Sequence, residues 1–169
     1  MQEEIRLTPV SYIVLGLLSW AGEATPYDLK RLVASSVGNF WSLQHAQLYT
    51  EPERLTRAGL LTETREEGGR RRKRYRVTDA GRAALRAWLA EPTGELTELR
   101  DPGLLKLFFG ADPAALARVQ LESHRAKLAE YEELQRSPRL QELAGPRLAL
   151  EAGIGHQREW IRFWERFEE

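Results

Sequence analysis

The sequence predicts a mainly α (α+β) fold: a winged helix-turn-helix domain followed by a helical dimerisation domain. Three observations predict it. Capped helix starts recur through the first half of the chain. Two short strand candidates then flank a turn-rich tip next to the run Arg70-Arg71-Arg72-Lys73-Arg74. Two long apolar rows at alternating spacings of three and four fill the last third. The order helix, turn, helix, hairpin is that of modules that lay their second helix in the DNA major groove, with a basic hairpin beside it to meet phosphates. The expected domains are residues 1–92 and 93–169.

Each element follows from local chemistry. Thr8-Pro9 opens a helix, because the Thr oxygen accepts an orphan amide and Pro at the first helical position loses no hydrogen bond. Val10, Ile13, Val14, Leu17 and Leu18 are its core stripe, and Ala21-Gly22 ends it. Thr25-Pro26 repeats the signal, with Asp28 completing a Thr-x-x-Asp capping box; Leu29, Leu32 and Val33 face inward and Gly38 stops the segment. The aromatic turn Asn39-Phe40-Trp41 reads as core packing.

Ser42 then caps the next helix, with Leu48, Leu55 and Ala58 inward, Gln44, His45, Gln47, Tyr49, Arg54 and Arg57 outward, and Gly59 as its stop. Pro52 inside it predicts a kink or break. Leu61–Arg65 and Arg72–Val77 are the strands. Period two sets Arg72, Arg74 and Arg76 on one face of the second, with Lys73, Tyr75 and Val77 on the other. Thr78 caps a helix carrying Leu85, Trp88 and Leu89, which ends at Glu91-Pro92-Thr93-Gly94.

Glu95–Arg100 reads as the linker. Asp101-Pro102 starts a brief helix through Leu104, Leu105, Phe108 and Phe109, stopped by Gly110, and Asp112-Pro113 opens a long one. Its seam is Ala117, Leu121, His124, Leu128 and Tyr131. Ser137-Pro138 closes that helix. The last helix repeats the pattern with Leu150, Ile154, Gln157, Ile161 and Trp164, broadened by Trp160 and Phe167. Two such helices bury little on a small domain by themselves, so the expected interface of a homodimer is Leu121, His124, Leu128, Tyr131, Leu150, Ile154, Ile161 and Trp164.

The bulk numbers set bounds. A chain of 169 residues with 42% hydrophobic content holds a real core, and zero cysteines exclude a disulfide framework or a cysteine zinc site. The longest apolar run, around Tyr12–Leu18, falls well short of the roughly 20 residues that cross a bilayer, so no membrane partner and a cytoplasmic location are expected. The formal net charge is zero, yet it is unevenly spread: residues 1–90 hold 14 Lys/Arg against 10 Asp/Glu, and residues 91–169 hold 11 against 15. The basic excess sits in the hairpin, the footprint that a polyanion requires.

These residues together resemble the PadR family of bacterial transcriptional regulators. The likeness is carried by Leu15-Gly16-Leu17-Leu18, Tyr27-Asp28-Leu29, Leu48-Tyr49 with Leu55 and Gly59-Leu60-Leu61, and Arg74-Tyr75-Arg76-Val77-Thr78-Asp79-Ala80-Gly81. Arg100-Asp101 leading into Leu104–Phe109, with Glu159-Trp160 in the last helix, resembles the larger branch with a virulence-activator-like C-terminal part. The resemblance implies a winged helix-turn-helix homodimer that binds palindromic operators and is often relieved by a small aromatic or cationic effector. It assigns the recognition role to residues 42–58 and the wing to residues 70–76.

The leading expectation is a sequence-specific, homodimeric repressor acting on double-stranded operator DNA. Gln44, His45, Gln47 and Tyr49 are expected to read bases, and Arg54, Arg70, Arg71, Arg72, Lys73, Arg74 and Arg76 to hold phosphates. Trp88, Phe108, Phe109 and Trp160 suggest a pocket for a flat aromatic effector, against the plainer reading of core packing. The competing class is a winged-helix protein-interaction module without DNA binding, kept open by Glu51 and Glu53 in the recognition helix. Catalysis, cofactors and a bound metal are not expected: His45, His124 and His156 lie in separate elements, with no phosphate-cradling glycine loop or serine elbow.

Overall fold

A computed structural model of the chain describes residues 5–65 and 72–168. The chain divides into two compact units, Met1–Glu95 and Leu96–Glu169. Among the described residues no helix is long and apolar enough to cross a membrane.

The N-terminal unit is built around α1 (Pro9–Ala21), which touches α2 (Pro26–Ala34), α3 (Gln47–Arg57), α4 (Asp79–Ala90) and strand β2 (Lys73–Val77). Being covered on several sides, α1 buries a wider arc than the expected stripe: Ser11, Val14, Leu15, Leu17 and Leu18 are buried, while Val10 and Ile13 are only half-buried. Gly22 ends the helix at φ 74°, a conformation that favours glycine. The Thr25 capping box forms as expected: the Asp28 carboxylate accepts the Thr25 amide at 3.0 Å, and the Thr25 hydroxyl oxygen accepts the Asp28 amide at 3.2 Å. These bonds from Thr25 lower the Asp28 pKa.

Strands β1 (Leu61–Arg65) and β2 pair antiparallel, with Leu61 opposite Val77 and Glu63 opposite Tyr75. Ala24 adds a bridge on the other side of β2, exchanging both backbone hydrogen bonds with Tyr75. Tyr75 and Val77 are buried as period two requires. Thr78 joins hairpin to helix: its hydroxyl donates to the Gly59 carbonyl at 2.8 Å and accepts the Gly81 amide at 3.1 Å. At Gly81 a Cβ would collide with the Leu60 carbonyl oxygen and the Val77 side chain, so this crossing requires glycine.

Two aromatic expectations fail here. Phe40 and Trp41 are 68% and 43% exposed, because the turn Val37–Asn39 carries the chain out of the core before α3 begins. Trp88 and Leu89 are also exposed, and Trp88 lies flat on Tyr12 with ring centroids 4.5 Å apart.

The C-terminal unit contains α5 (Pro102–Phe108), α6 (Pro113–Gln135), α7 (Pro138–Gln141) and α8 (Ala144–Glu165). Asp101 caps α5 through the amides of Gly103 and Leu104. The short α7 reverses the chain, so α6 and α8 run antiparallel: Tyr131 meets Gly153 at one end, His124 meets Gln157, and Arg125 reaches Glu165 and Glu168 at the other. Ala117, Leu121 and Trp164 form the centre of this packing, with Leu104, Leu107 and Phe167 against it.

Candidate nucleic-acid interface

Helix α3 begins later than the sequence suggests. Its N-cap is Ala46, Ser42 makes no cap, and the amides of Gln47, Leu48 and Tyr49 bond back three residues to Gln44, His45 and Ala46. Gln44 and His45 therefore lie in the turn ahead of the helix rather than on it. The Gln47 side-chain oxygen accepts the Gln44 amide at 3.1 Å, which ties the turn to the start of the helix, while α3 itself has no side-chain cap. All four expected base readers are exposed, so the turn and the first turn of α3 present them together.

Pro52 does not break α3. Leu48, Pro52 and Leu55 recur on one face and all three are buried, so the ring occupies core space while the helix continues to Arg57. One ladder bond is lost, and apolar burial offsets it. The Thr56 hydroxyl donates to the Pro52 carbonyl at 2.8 Å.

Arg54 is corrected from an outward phosphate contact to an inward clasp. Its guanidinium donates to both Glu51 oxygens, to the fully buried Ser11 hydroxyl at 3.0 Å and to the Arg6 carbonyl at 3.1 Å. Ser11 in turn donates to Glu51 at 2.6 Å. Burial pushes the Glu51 carboxyl up, but the hydrogen bonds from Arg54 and Ser11 outweigh it and hold its pKa below the usual carboxylate value. The Glu51 bond raises the Arg54 pKa. The network ties the recognition helix to α1.

Of the wing residues, Arg70 and Arg71 lie outside the described residues. Arg72 and Arg76 are exposed, and Arg74 is half-buried on the Arg76 face of β2. Both Arg74 and Arg76 reach Glu23, at 3.4 and 3.3 Å. Lys73 pairs with Glu53 at 2.5 Å and Glu63 at 3.5 Å, and Arg65 with Glu63 at 3.1 Å. Thus the two acids of α3 that favoured a protein-interaction module are both neutralised by neighbouring cations. Glu23 is a residue that sequence reasoning missed. Only the Ala24–Tyr75 bridge, which no local pattern announces, brings it to the wing.

The expected dimer seam is largely consumed within one chain. Leu121, Tyr131, Ile154 and Trp164 are buried by the packing of α6 on α8, which corrects their assignment to a partner contact: the two rows are apolar because they face each other. His124, Leu128, Leu150 and Ile161 are half-buried. The His124 Nδ1 lies 2.6 Å from the Gln157 side-chain oxygen, and its ring stacks on Trp160. The residues expected to line an aromatic pocket divide between the two units. Trp88 belongs to the N-terminal unit; Phe108 and Phe109 meet edge to face and are exposed, whereas Trp160 packs on His124, His156 and Phe163. A surface concavity at the end of α5 is lined by Leu105, Lys106, Phe109, Gly110 and Ala111.

A recognition helix buried along one face, a two-stranded wing with cations on its outer side, and a capped helix behind them define a winged helix-turn-helix protein. Residues 14–87 match the transcriptional regulator PadR-like family, and residues 99–169 match the virulence activator α C-terminal region. The negative transcriptional regulator PadR of Bacillus subtilis is 31% identical over 148 residues, covering 81% of each chain. The chain belongs to the PadR-like family of transcriptional regulators. Among solved structures, it is similar to Bacillus subtilis PadR in complex with operator DNA (TM-score 0.80, 25% identity, 96% of this chain and 97% of that one). The same relative in complex with p-coumaric acid gives a TM-score of 0.74 at 25% identity over 93% and 95% of the two chains. The Vibrio cholerae virulence activator AphA gives 0.69 at 28% identity over 94% and 95%.

Proposed function

We propose that this regulator is a cytoplasmic, homodimeric repressor without enzymatic activity, which binds operator DNA through α3 and the wing. The observation that carries the reading is the exposure of Gln44, His45, Gln47 and Tyr49 at the start of α3 in the same unit that carries the outward Arg72, Arg74 and Arg76. The four polar and aromatic side chains read base edges, and the arginines, with Lys73, Arg70 and Arg71, hold the phosphates. The dimer forms on surface of α6 and α8 that their mutual packing leaves open, where Val119 and Leu148 are 64% and 57% exposed, and where His124, Leu128, Leu150 and Ile161 lie part-covered.

Gel shifts across a salt series test this reading. A DNA binder loses affinity linearly in log salt as counterions leave. Arg72→Ala with Arg76→Ala should weaken binding to all duplexes and flatten that slope, while Gln47→Ala or Tyr49→Ala should cost about 1–3 kcal/mol on a selected site and little on random DNA. Equal losses on both DNAs would remove the base-reading role, and salt-independent binding would remove the phosphate role.

A second reading, response to a small aromatic effector, is favoured by the p-coumaric acid complex of the relative and by the concavity where Phe109 and Lys106 offer a ring and a cation. An aromatic acid that releases DNA and quenches tryptophan fluorescence together supports it. A panel that does neither removes it.

A further inference from the structure

Five described cations of the hairpin, Arg65, Arg72, Lys73, Arg74 and Arg76, stand beside three carboxylates that bond to four of them. The acids come from three separate elements: Glu23 from the turn after α1, Glu53 from α3 and Glu63 from β1. Their arrival follows from backbone geometry. The Ala24–Tyr75 bridge sets Glu23 opposite Arg76 and diagonal to Arg74, on the outer face, because alternate side chains leave a strand on the same side. On the inner face, Glu63 sits opposite Tyr75 and two pairs, one diagonal step, from Lys73, and Tyr75 donates its hydroxyl to Glu63 at 3.3 Å.

Fold stability does not account for these pairs. The Arg76, Lys73 and Glu53 side chains are 66%, 33% and 49% exposed, and ion pairs at such sites contribute little to folding. Their position on a DNA-contacting surface gives them another consequence. A carboxylate occupies the same guanidinium and ammonium donors that a phosphate oxygen would take. A duplex that takes the outer arginines must displace Glu23 from Arg74 and Arg76, one that takes Lys73 must displace Glu53, and either then sits beside uncompensated negative charge.

We propose that Glu23 and Glu53 are specificity-setting positioning residues: internal competitors of the phosphate backbone that hold the wing cations in place and lower affinity for DNA of any sequence. This rests on the DNA-binding reading above. Because the penalty is independent of sequence, a complex with few base contacts at α3 feels it most, and the ratio of specific to non-specific affinity rises.

The test uses the full chain, a mixed random-sequence 30-base-pair duplex, and a duplex enriched from a random pool by the wild-type protein. Glu23→Gln and Glu53→Gln are each measured across a salt series, alongside wild type and a thermal melt. Each variant should bind the random duplex roughly 3- to 10-fold more tightly, with a salt slope steeper by about one unit per phosphate newly held. The enriched duplex should gain less, so the affinity ratio falls. Glu23→Asp, which keeps the charge, should restore wild-type behaviour. Variants that melt like wild type but bind random DNA no more tightly, at an unchanged slope, overturn the inference while leaving DNA binding intact. A wild-type protein that binds neither duplex removes both readings. Should Glu23→Gln fail to fold, Glu53→Gln, on the exposed face of α3, decides alone.

Discussion

The two units bury their apolar residues differently. Among the described residues the N-terminal unit holds 12 buried hydrophobic side chains drawn from α1, α2, α3, both strands and the turn at Ala24, whereas the C-terminal unit holds five, all on α6 and α8. The first is a many-sided core around α1. The second is a single helix-to-helix seam, laced on its margins by Arg125 with Glu165 and Glu168 and by Arg158 with Glu132. It leaves Leu105, Phe108, Phe109, Val119 and Leu148 exposed. In the N-terminal unit α3 is thus held by a core with several sides, whereas the C-terminal unit depends on one seam, and both units leave large apolar side chains exposed.

The largest effects should come from breaking each core at its centre. Trp164→Ala empties the α6–α8 seam and should cost roughly 3–5 kcal/mol; Leu55→Ala, behind the recognition helix, should cost roughly 2–5 kcal/mol. Chemical denaturation followed by circular dichroism checks both. A cost below 1 kcal/mol at either position would contradict the account of that core.

The clasp between α1 and α3 is next in size. Glu51→Ala leaves the buried Ser11 hydroxyl and the Arg54 guanidinium short of a partner and should cost roughly 1–3 kcal/mol. Because Glu51 has a lowered pKa in the folded protein, its contribution is complete above its unfolded value and is lost as pH falls through the folded value. Wild type should therefore lose stability on the acid side more than the variant does. Parallel stability curves from pH 7 down to pH 3 would show that the clasp does not act through charge.

The smallest effect on folding, and the sharpest contrast between the units, is expected at the exposed rows. Val119→Glu with Leu148→Glu should change stability by no more than about 0.5 kcal/mol, because both side chains already face solvent in the single chain. The same pair should lower dimer affinity, read by sedimentation over a concentration series. An unchanged association constant would move the interface elsewhere.

What was legible in the sequence was mostly local. Thr8-Pro9, Thr25-Pro26 with Asp28, Thr78, Asp101-Pro102 and Asp112-Pro113 all mark helix starts, and Gly22, Gly59 and Gly110 mark stops at positive φ. Period two also placed Tyr75 and Val77 inside. Features that depend on distant chain segments were not legible. Pro52 reads as a breaker until Leu48 and Leu55 show that its face is the buried one. Phe40 and Trp41 read as core because aromatic content says nothing about which way a turn leaves the surface. The α6 and α8 rows look alike whether they meet within one chain or across two, and only the reversal at α7 decides between them. The carboxylates facing the wing cations, Glu23 above all, depend on strand register and on the Ala24–Tyr75 bridge.

On the proposed function, a symmetric pair of these chains reads DNA through α3 and the wing. Selection of bound sequences from a random duplex pool by the purified wild-type protein tests it most directly. The expected result is an enriched palindrome whose half-sites lie about one helical turn, roughly 34 Å, or a multiple of it apart, occupied by two chains. No enrichment after repeated rounds, or a single asymmetric site occupied by one chain, would contradict it.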